Sequence, residues 1–126
     1  MSDKTAIVIL SDPKNGAEEA LGRVFNALLM ASRLKEKGRD VAVIFQGTGV
    51  RWASEVVKSD HPAHTFFKAV EDKVVGACCG CADAFGATDD VKASGLPLVK
   101  QVDIPATAGF IDLAQYIEDG YTLVTF

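Results

Sequence analysis

The hydrophobic positions of the chain fall into short uninterrupted runs, separated by longer segments with helical periodicity. The runs predict four β-strands and a weaker fifth: Thr5–Leu10, Val41–Gln46, Val74–Cys78, Tyr121–Phe126 and Leu98–Val102. The first three runs lack polar alternation, which is typical of strands covered on both faces in a parallel sheet.

The segments between the runs predict helices. The clearest extends from Ala17 to about Lys37, and its apolar residues recur at helical spacing. Further helices are predicted at His61–Asp72, Ala106–Glu118, Val50–Lys58 and Thr88–Ser94. Alternating strands and helices form βαβ units with right-handed crossovers. The predicted fold class is α/β: a three-layer flavodoxin-like domain with a mostly parallel sheet of about five strands, in a single domain over residues 1–126.

Composition narrows the classes of function. The chain has 126 residues, 48% of them hydrophobic and 24% charged, as expected of one globular domain. Its net charge of -4 argues against a nucleic-acid partner, because phosphate binding needs a basic face. No apolar run approaches membrane-spanning length, and the first is too short for a signal peptide core. The sequence therefore predicts a cytoplasmic protein with no membrane partner.

The three cysteines of the chain lie within four residues, at Cys78, Cys79 and Cys81. In a cytoplasmic chain such a cluster indicates reactive, metal-binding or buried thiols rather than a disulfide framework. The cluster follows a predicted strand and precedes a short helical stretch. Free N–H groups and the positive end of a helix favour the thiolate, which is the nucleophilic form of cysteine. Cys78 and Cys81, a C-x-x-C pair, are the candidate catalytic residues.

The pattern V-V-G-A-C-x-x-C-A-x-A-x-G over residues 74–86 resembles the DsrE/DsrF family of sulfur-relay proteins. The first strand with its long following helix and the closing residues 120–124 are similar to that family too, so the resemblance spans nearly the whole chain. Cys78 and Gly86 match the family's functional cysteine and the glycine that closes its helix. Phe85 departs from the pattern, since many members have a basic residue there.

The resemblance implies that Cys78 carries a persulfide, and we expect Cys81 to assist it and Cys79 to serve for packing or as a fallback carrier. It also implies homo-oligomers, often trimers or hexamers, and partner proteins that donate and accept sulfur. The resulting hypothesis is a sulfur carrier of sulfurtransferase type that needs no cofactor and has no independent turnover of small molecules.

Other candidate residues lie on loops that leave the predicted strands. Gly47, Thr48 and Gly49 form a tight turn, and Arg51 follows as a cation for a nearby thiolate, so these four are the candidate binding residues. The loop Ser11–Gly16 matches no phosphate-binding motif and is interpreted as a helix-capping turn.

Two alternatives remain open at this point. One is a non-enzymatic oligomeric binding module for a small ligand or a metal; His61 and His64 complete a tetrahedral zinc set with the cysteines in principle, although the favoured interpretation assigns no metal. The other is a thiol–disulfide redox protein that uses Cys78 and Cys81. Thiol pKa and reduction potential distinguish these readings.

Overall fold

The computed structural model describes residues 3–15 and 17–126. Its strands are β1 (Lys4–Ile9), β2 (Asp40–Phe45), β3 (Val74–Cys78), β4 (Leu98–Val99) and β5 (Tyr121–Thr125). Its α-helices are α1 (Ala17–Glu36), α2 (Ala53–Val56), α3 (His64–Val70), α4 (Cys79–Ala84), α5 (Thr88–Ser94) and α6 (Leu113–Glu118), and 3-10 helices occupy Gly47–Trp52 and Glu71–Lys73. All five predicted strands are present, although β4 is shorter than predicted.

The five described strands form one sheet in the order β4-β3-β2-β1-β5, and they pair with one another in parallel. The register pairs Phe45 with Ala77, and Cys78 with Val99. Parallel strands end at the same edge of the sheet, so the loops after β1, β2 and β3 share one rim. The predicted α/β flavodoxin-like fold is confirmed.

The strand order also sets the helical layers. The chain steps in one direction from β1 to β4, and right-handed crossovers then place α1 to α5 on one face. The return to β5, beyond β1, carries α6 to the opposite face, where α6 packs on β5. The central strands are covered on both sides: every residue of Ala6–Ile9 and of Val43–Phe45 has no exposed surface. This burial confirms the prediction that the uninterrupted apolar runs are strands covered on both faces.

The predicted helix Ala106–Glu118 is wrong over its first half. Only its last turns form α6, which begins after Asp112, whose side chain accepts a hydrogen bond from the Gln115 N–H. Gly109 has a φ of 88°, a left-handed conformation that interrupts a helix. The residues before α6 instead fold back, with Val102 and Phe110 paired in an antiparallel bridge. We call residues 101–111 the covering segment, because they lie against the cysteines.

Two other predicted helices are shorter than expected. The segment His61–Asp72 is α-helical from His64 only and ends in a 3-10 turn, and the segment Val50–Lys58 is divided between a 3-10 helix and α2. Gly16, the last residue of the predicted loop Ser11–Gly16, lies outside the described residues. Within the described chain, no helix combines the length and the apolar character needed to cross a membrane.

Candidate active site

The cysteines lie where β3 becomes α4. Cys78 is the last residue of β3 and, in extended conformation, the N-cap of α4, while Cys79 and Cys81 belong to the first turn of that helix. All three are free thiols. The predicted strand-to-helix junction is present, but the helix already includes Cys79 and Cys81 and does not begin after the cluster.

Burial separates the three thiols. Cys78 has no exposed surface and Cys81 is 7% exposed, whereas Cys79 is half-buried. The covering segment causes much of this burial. The Gly80 N–H donates to the Gly109 carbonyl oxygen at 2.6 Å, and a Cβ on Gly80 would lie 2.8 Å from the Phe110 ring. Only glycine at position 80 lets the covering segment approach so closely.

The surroundings of Cys78 stabilise its thiolate. The Cys81 thiol donates a hydrogen bond to Cys78 Sγ, and this is the largest influence on the Cys78 pKa. Burial opposes it, but backbone N–H groups of Cys81, Ile111 and Gly80 also point at the sulfur and lower the pKa to about 6. Cys78 is therefore mostly ionised at neutral pH, although it is buried.

Cys81 has the complementary role. Its hydrogen bond to Cys78 raises the pKa of the Cys81 thiol far above its ordinary value, and burial raises it further. The Gly47 N–H opposes these two influences. The pair therefore holds one proton, which stays on Cys81, while Cys78 keeps the negative charge.

The rim of β2 completes the site. Gln46 follows β2 and is 9% exposed, and its Nε2 donates to the Ile111 carbonyl oxygen over a long 3.5 Å. Its Oε1 is buried and has no hydrogen-bond partner among the described residues. Gln46 and Ile111 were both missed by the sequence analysis. The sequence did point to Gln46 in one respect. The apolar run Val41–Gln46 ends in this polar residue, at the edge of the sheet where ligands bind.

The predicted binding residues divide into two groups. Gly47 lies beside the cysteines, where its N–H faces Cys81. Thr48 and Gly49 instead face the end of β1. Thr48 Oγ1 donates to the Leu10 carbonyl oxygen at 3.0 Å. A Cβ on Gly49 would lie 1.9 Å from the Ile9 carbonyl oxygen.

Arg51 makes its ion pair and its hydrogen bond with groups other than the cysteines. Its guanidinium pairs with Asp12 Oδ2 at 2.7 Å and donates to the Phe85 carbonyl oxygen at 3.1 Å. Burial raises the pKa of the Asp12 carboxyl, but hydrogen bonds from Lys14 and Arg51 outweigh it, so that pKa is lowered. Arg51 thus ties together the loop after β1 and the end of α4.

The two histidines lie apart from the cysteines in their contacts. His61 Nδ1 accepts the Ala63 N–H at 3.1 Å and its ring contacts Trp52, while His64 Nδ1 is 2.7 Å from the Val56 carbonyl oxygen. Among the described residues, no three His, Cys, Asp or Glu side chains are grouped as metal ligands. The hypothetical zinc set of these histidines with the cysteines is thus not assembled.

A cavity of about 360 Å³ lies at the ends of β1 and β5. It is lined by Leu10, Ser11, Asp12, Asn15, Glu19, Ala20, Arg23, Thr125 and Phe126. No cysteine lines this cavity, so it does not give access to Cys78.

Residues 3–126 match the model of the DsrE/DsrF-like family. The chain belongs to the DsrE/DsrF-like family. It is 32% identical over 101 residues to the uncharacterized protein MJ0733 of Methanocaldococcus jannaschii, an alignment that covers 80% of this chain and 78% of that protein. A solved structure, the conserved protein of unknown function BT1422 from Bacteroides thetaiotaomicron, is similar with a TM-score of 0.63 and 22% identity over 98% of this chain and 95% of that one. This second likeness shows the fold.

The shared proton leads to a prediction about alkylation. In a Cys79→Ser background, the rate of Cys78 alkylation should rise with pH with a midpoint of about 6. Cys81→Ala removes the thiol donor and should raise the midpoint by about 1–2 units, the size of one hydrogen bond to a charged group. Cys81→Ser keeps a donor and is the matched control, with a smaller shift. A wild-type midpoint near an ordinary thiol value, unmoved by Cys81→Ala, would contradict the described geometry.

Proposed function

We propose that this DsrE/DsrF-like protein carries sulfane sulfur as a persulfide on Cys78 and passes it between partner proteins in the cytoplasm. Membership of the family supports a role of sulfur-relay type. The observation that carries the proposal is the position of Cys78, which is fully buried at the N-cap of α4, where hydrogen bonds from one thiol and three backbone N–H groups lower its pKa. Such hydrogen bonds are typical of a reactive cysteine rather than a structural one.

The loading step is a thiolate exchange. The Cys78 thiolate attacks the outer sulfur of a hydropersulfide donor, the donor's own S–S bond breaks, and the donor's inner sulfur leaves as a thiolate. The new S–S bond forms on Cys78, with no net oxidation or reduction. In delivery, an acceptor thiolate attacks the outer sulfur and Cys78 leaves. A leaving thiol of low pKa departs faster, so the same donors that activate Cys78 also assist release.

Burial makes the transfer dependent on a partner. Cys78 has no exposed surface, so a donor or acceptor reaches it only after the covering segment moves. That segment has an exposed tip, where Ile104 is 44% exposed, and it rests on α4 through Gly109 and Phe110. A partner protein that binds the tip is therefore suited to expose the thiolate at the moment of transfer. This dependence accounts for a carrier without independent turnover of small molecules.

A second candidate function is thiol–disulfide redox chemistry. The influence of the Cys81 thiol on Cys78 favours it, because a hydrogen bond between the two thiols is the largest cause of the lowered Cys78 pKa. A Cys78–Cys81 disulfide that stays oxidised at a cytosolic glutathione potential supports the redox function, whereas persulfide loading without disulfide formation supports the carrier.

The carrier function predicts where sulfur is added. After incubation with a small-molecule hydropersulfide donor, intact-mass and peptide mass spectrometry should find one added sulfur on Cys78. Cys78→Ser should abolish this adduct, because its hydroxyl is not a nucleophile at neutral pH. Cys79→Ser, a matched change at the neighbouring half-buried thiol, should load normally. No adduct on Cys78, with unchanged loading in Cys78→Ser, would refute the assignment.

The proposal includes a homo-oligomer, a trimer or a hexamer. Large apolar side chains exposed on the single chain support it, among them Ile117 at 60% and Phe85 at 41%. Light scattering should therefore give a mass of three or six copies of the 13.4 kDa chain. Ile117→Glu should lower this mass if α6 lies in the interface. A wild-type mass of one copy across the micromolar range would show the oligomer to be wrong.

A further inference from the structure

The Gln46 side chain is the unexplained polar group of the site. It is 9% exposed, and within residues 3–15 and 17–126 its buried Oε1 has no hydrogen-bond partner. A buried acceptor left unpaired is costly, by an amount comparable to that of a lost hydrogen bond. Its Nε2 contributes little in return, since its contact with the Ile111 carbonyl oxygen is 3.5 Å long. The Gln46 amide is therefore suited to accept a hydrogen bond from a group that enters the site.

Gln46 and Cys78 are neighbours on the same face of the sheet. Phe45 pairs with Ala77, so the next residues, Gln46 and Cys78, stand side by side at the ends of two parallel strands. Both have extended backbones, and partners in register point their side chains to the same face. Ile111 links the two side chains, because its carbonyl oxygen accepts from the Gln46 amide while its N–H points at Cys78 Sγ.

The groups beside Cys78 differ in what they offer. The three backbone N–H groups are donors, and they act on Sγ itself. The acceptors beside them are Gln46 Oε1 and the Ile111 carbonyl oxygen. Because Gln46 and Cys78 stand side by side on one face, the Gln46 Oε1 atom is the acceptor available to a sulfur added beyond Sγ. That oxygen repels a negatively charged sulfur and accepts a hydrogen bond from a protonated one.

We propose that Gln46 Oε1 accepts a hydrogen bond from the outer sulfur of loaded Cys78, so that the site carries a neutral hydropersulfide, –S–SH. This inference rests on the proposed carrier function. In loading, the Cys78 thiolate attacks the outer sulfur of R–S–SH. The S–S bond of R–S–SH breaks, R–S⁻ leaves with the electron pair, and the proton stays on the transferred sulfur. Gln46 positions that S–H.

A neutral outer sulfur suits delivery. An acceptor thiolate attacks it without charge repulsion, and the electron pair of the breaking S–S bond goes to Cys78 Sγ. There the Cys81 thiol and three N–H groups stabilise the leaving thiolate. The proton travels with the sulfur to give R′–S–SH. Gln46 and the N–H donors thus act on different sulfurs of one persulfide, the first on the outer atom and the second on the inner atom.

The titratable groups of the described chain that bear on the site are Cys81, Cys79, Lys100 and Asp103. Cys81, on α4, shares its proton with Cys78. Cys79, on the same helix, lies at the border of the site. Lys100 lies there too and pairs with Asp103 at 2.9 Å. Asp103 raises the pKa of Lys100, and a charge on Cys79 raises it by a smaller amount. Gln46 does not titrate, so its replacement changes the proton affinity of the loaded sulfur without adding or removing a charge.

The test is a pH titration of the loaded protein. Loaded Cys79→Ser protein is titrated through the ultraviolet absorption of the persulfide anion, with and without Gln46→Met, which keeps the length of the side chain and removes the acceptor. A hydrogen bond to the protonated form holds the proton, so its loss should lower the midpoint by about one unit. Gln115→Met, the same change on α6, should leave the midpoint unmoved.

The outcomes separate this inference from the function on which it rests. If Cys78 is loaded and the midpoint is the same with Gln46 as with Gln46→Met, the role of Gln46 is overturned and the carrier function stands. No loading of the wild type overturns both. If Gln46→Met fails to fold, the Gln46 protein suffices: its loaded sulfur should titrate at higher pH than glutathione hydropersulfide in the same buffer, and an equal or lower midpoint overturns the inference.

Discussion

The hydrogen-bond donors directed at Cys78 Sγ are the interaction on which the site depends. Three are backbone N–H groups, and the fourth is the Cys81 thiol. Burial alone would keep Cys78 protonated, because a charge is costly in an apolar interior. The donors reverse this preference, so a thiolate exists where solvent is excluded. Two of the N–H groups belong to the first turn of α4, where the N–H groups have no partner within the helix.

The third N–H ties the site to a distant part of the chain. Ile111 belongs to the covering segment, which follows β4, so the thiolate needs the sheet, α4 and that segment at once. Gly80 permits the close approach, since any larger residue would push Phe110 away. The same contact that stabilises the thiolate also hides it. The covering segment therefore both activates and protects the sulfur. A reaction partner reaches Cys78 only when this segment moves away for a time.

Residue patterns were sufficient for the sheet and for the position of Cys78. Uninterrupted apolar runs identify β1, β2 and β3, because strands buried on both faces need no polar alternation. The covering segment was mispredicted, because Phe110 and Leu113 fit a helical spacing that the left-handed Gly109 and the cap at Asp112 interrupt. Arg51 shows a different limit. Its closeness in sequence to Gly47 suggested a role beside the thiolate, but its side chain pairs with Asp12, a contact that depends on rotamer and loop geometry.

The central claim is that the folded protein holds Cys78 as a thiolate, and the pH dependence of stability tests it most directly. The Cys78 pKa is about 6 when folded, and a thiol in an unfolded chain has a pKa of about 8.5. The unfolded state thus binds more protons between these values, so stability rises with pH there and is lost as pH falls through 6. Under reducing conditions, the free energy of unfolding of the wild type, relative to Cys78→Ser, should increase from pH 6 to 8.5. A difference that stays constant or falls across this range would contradict the account.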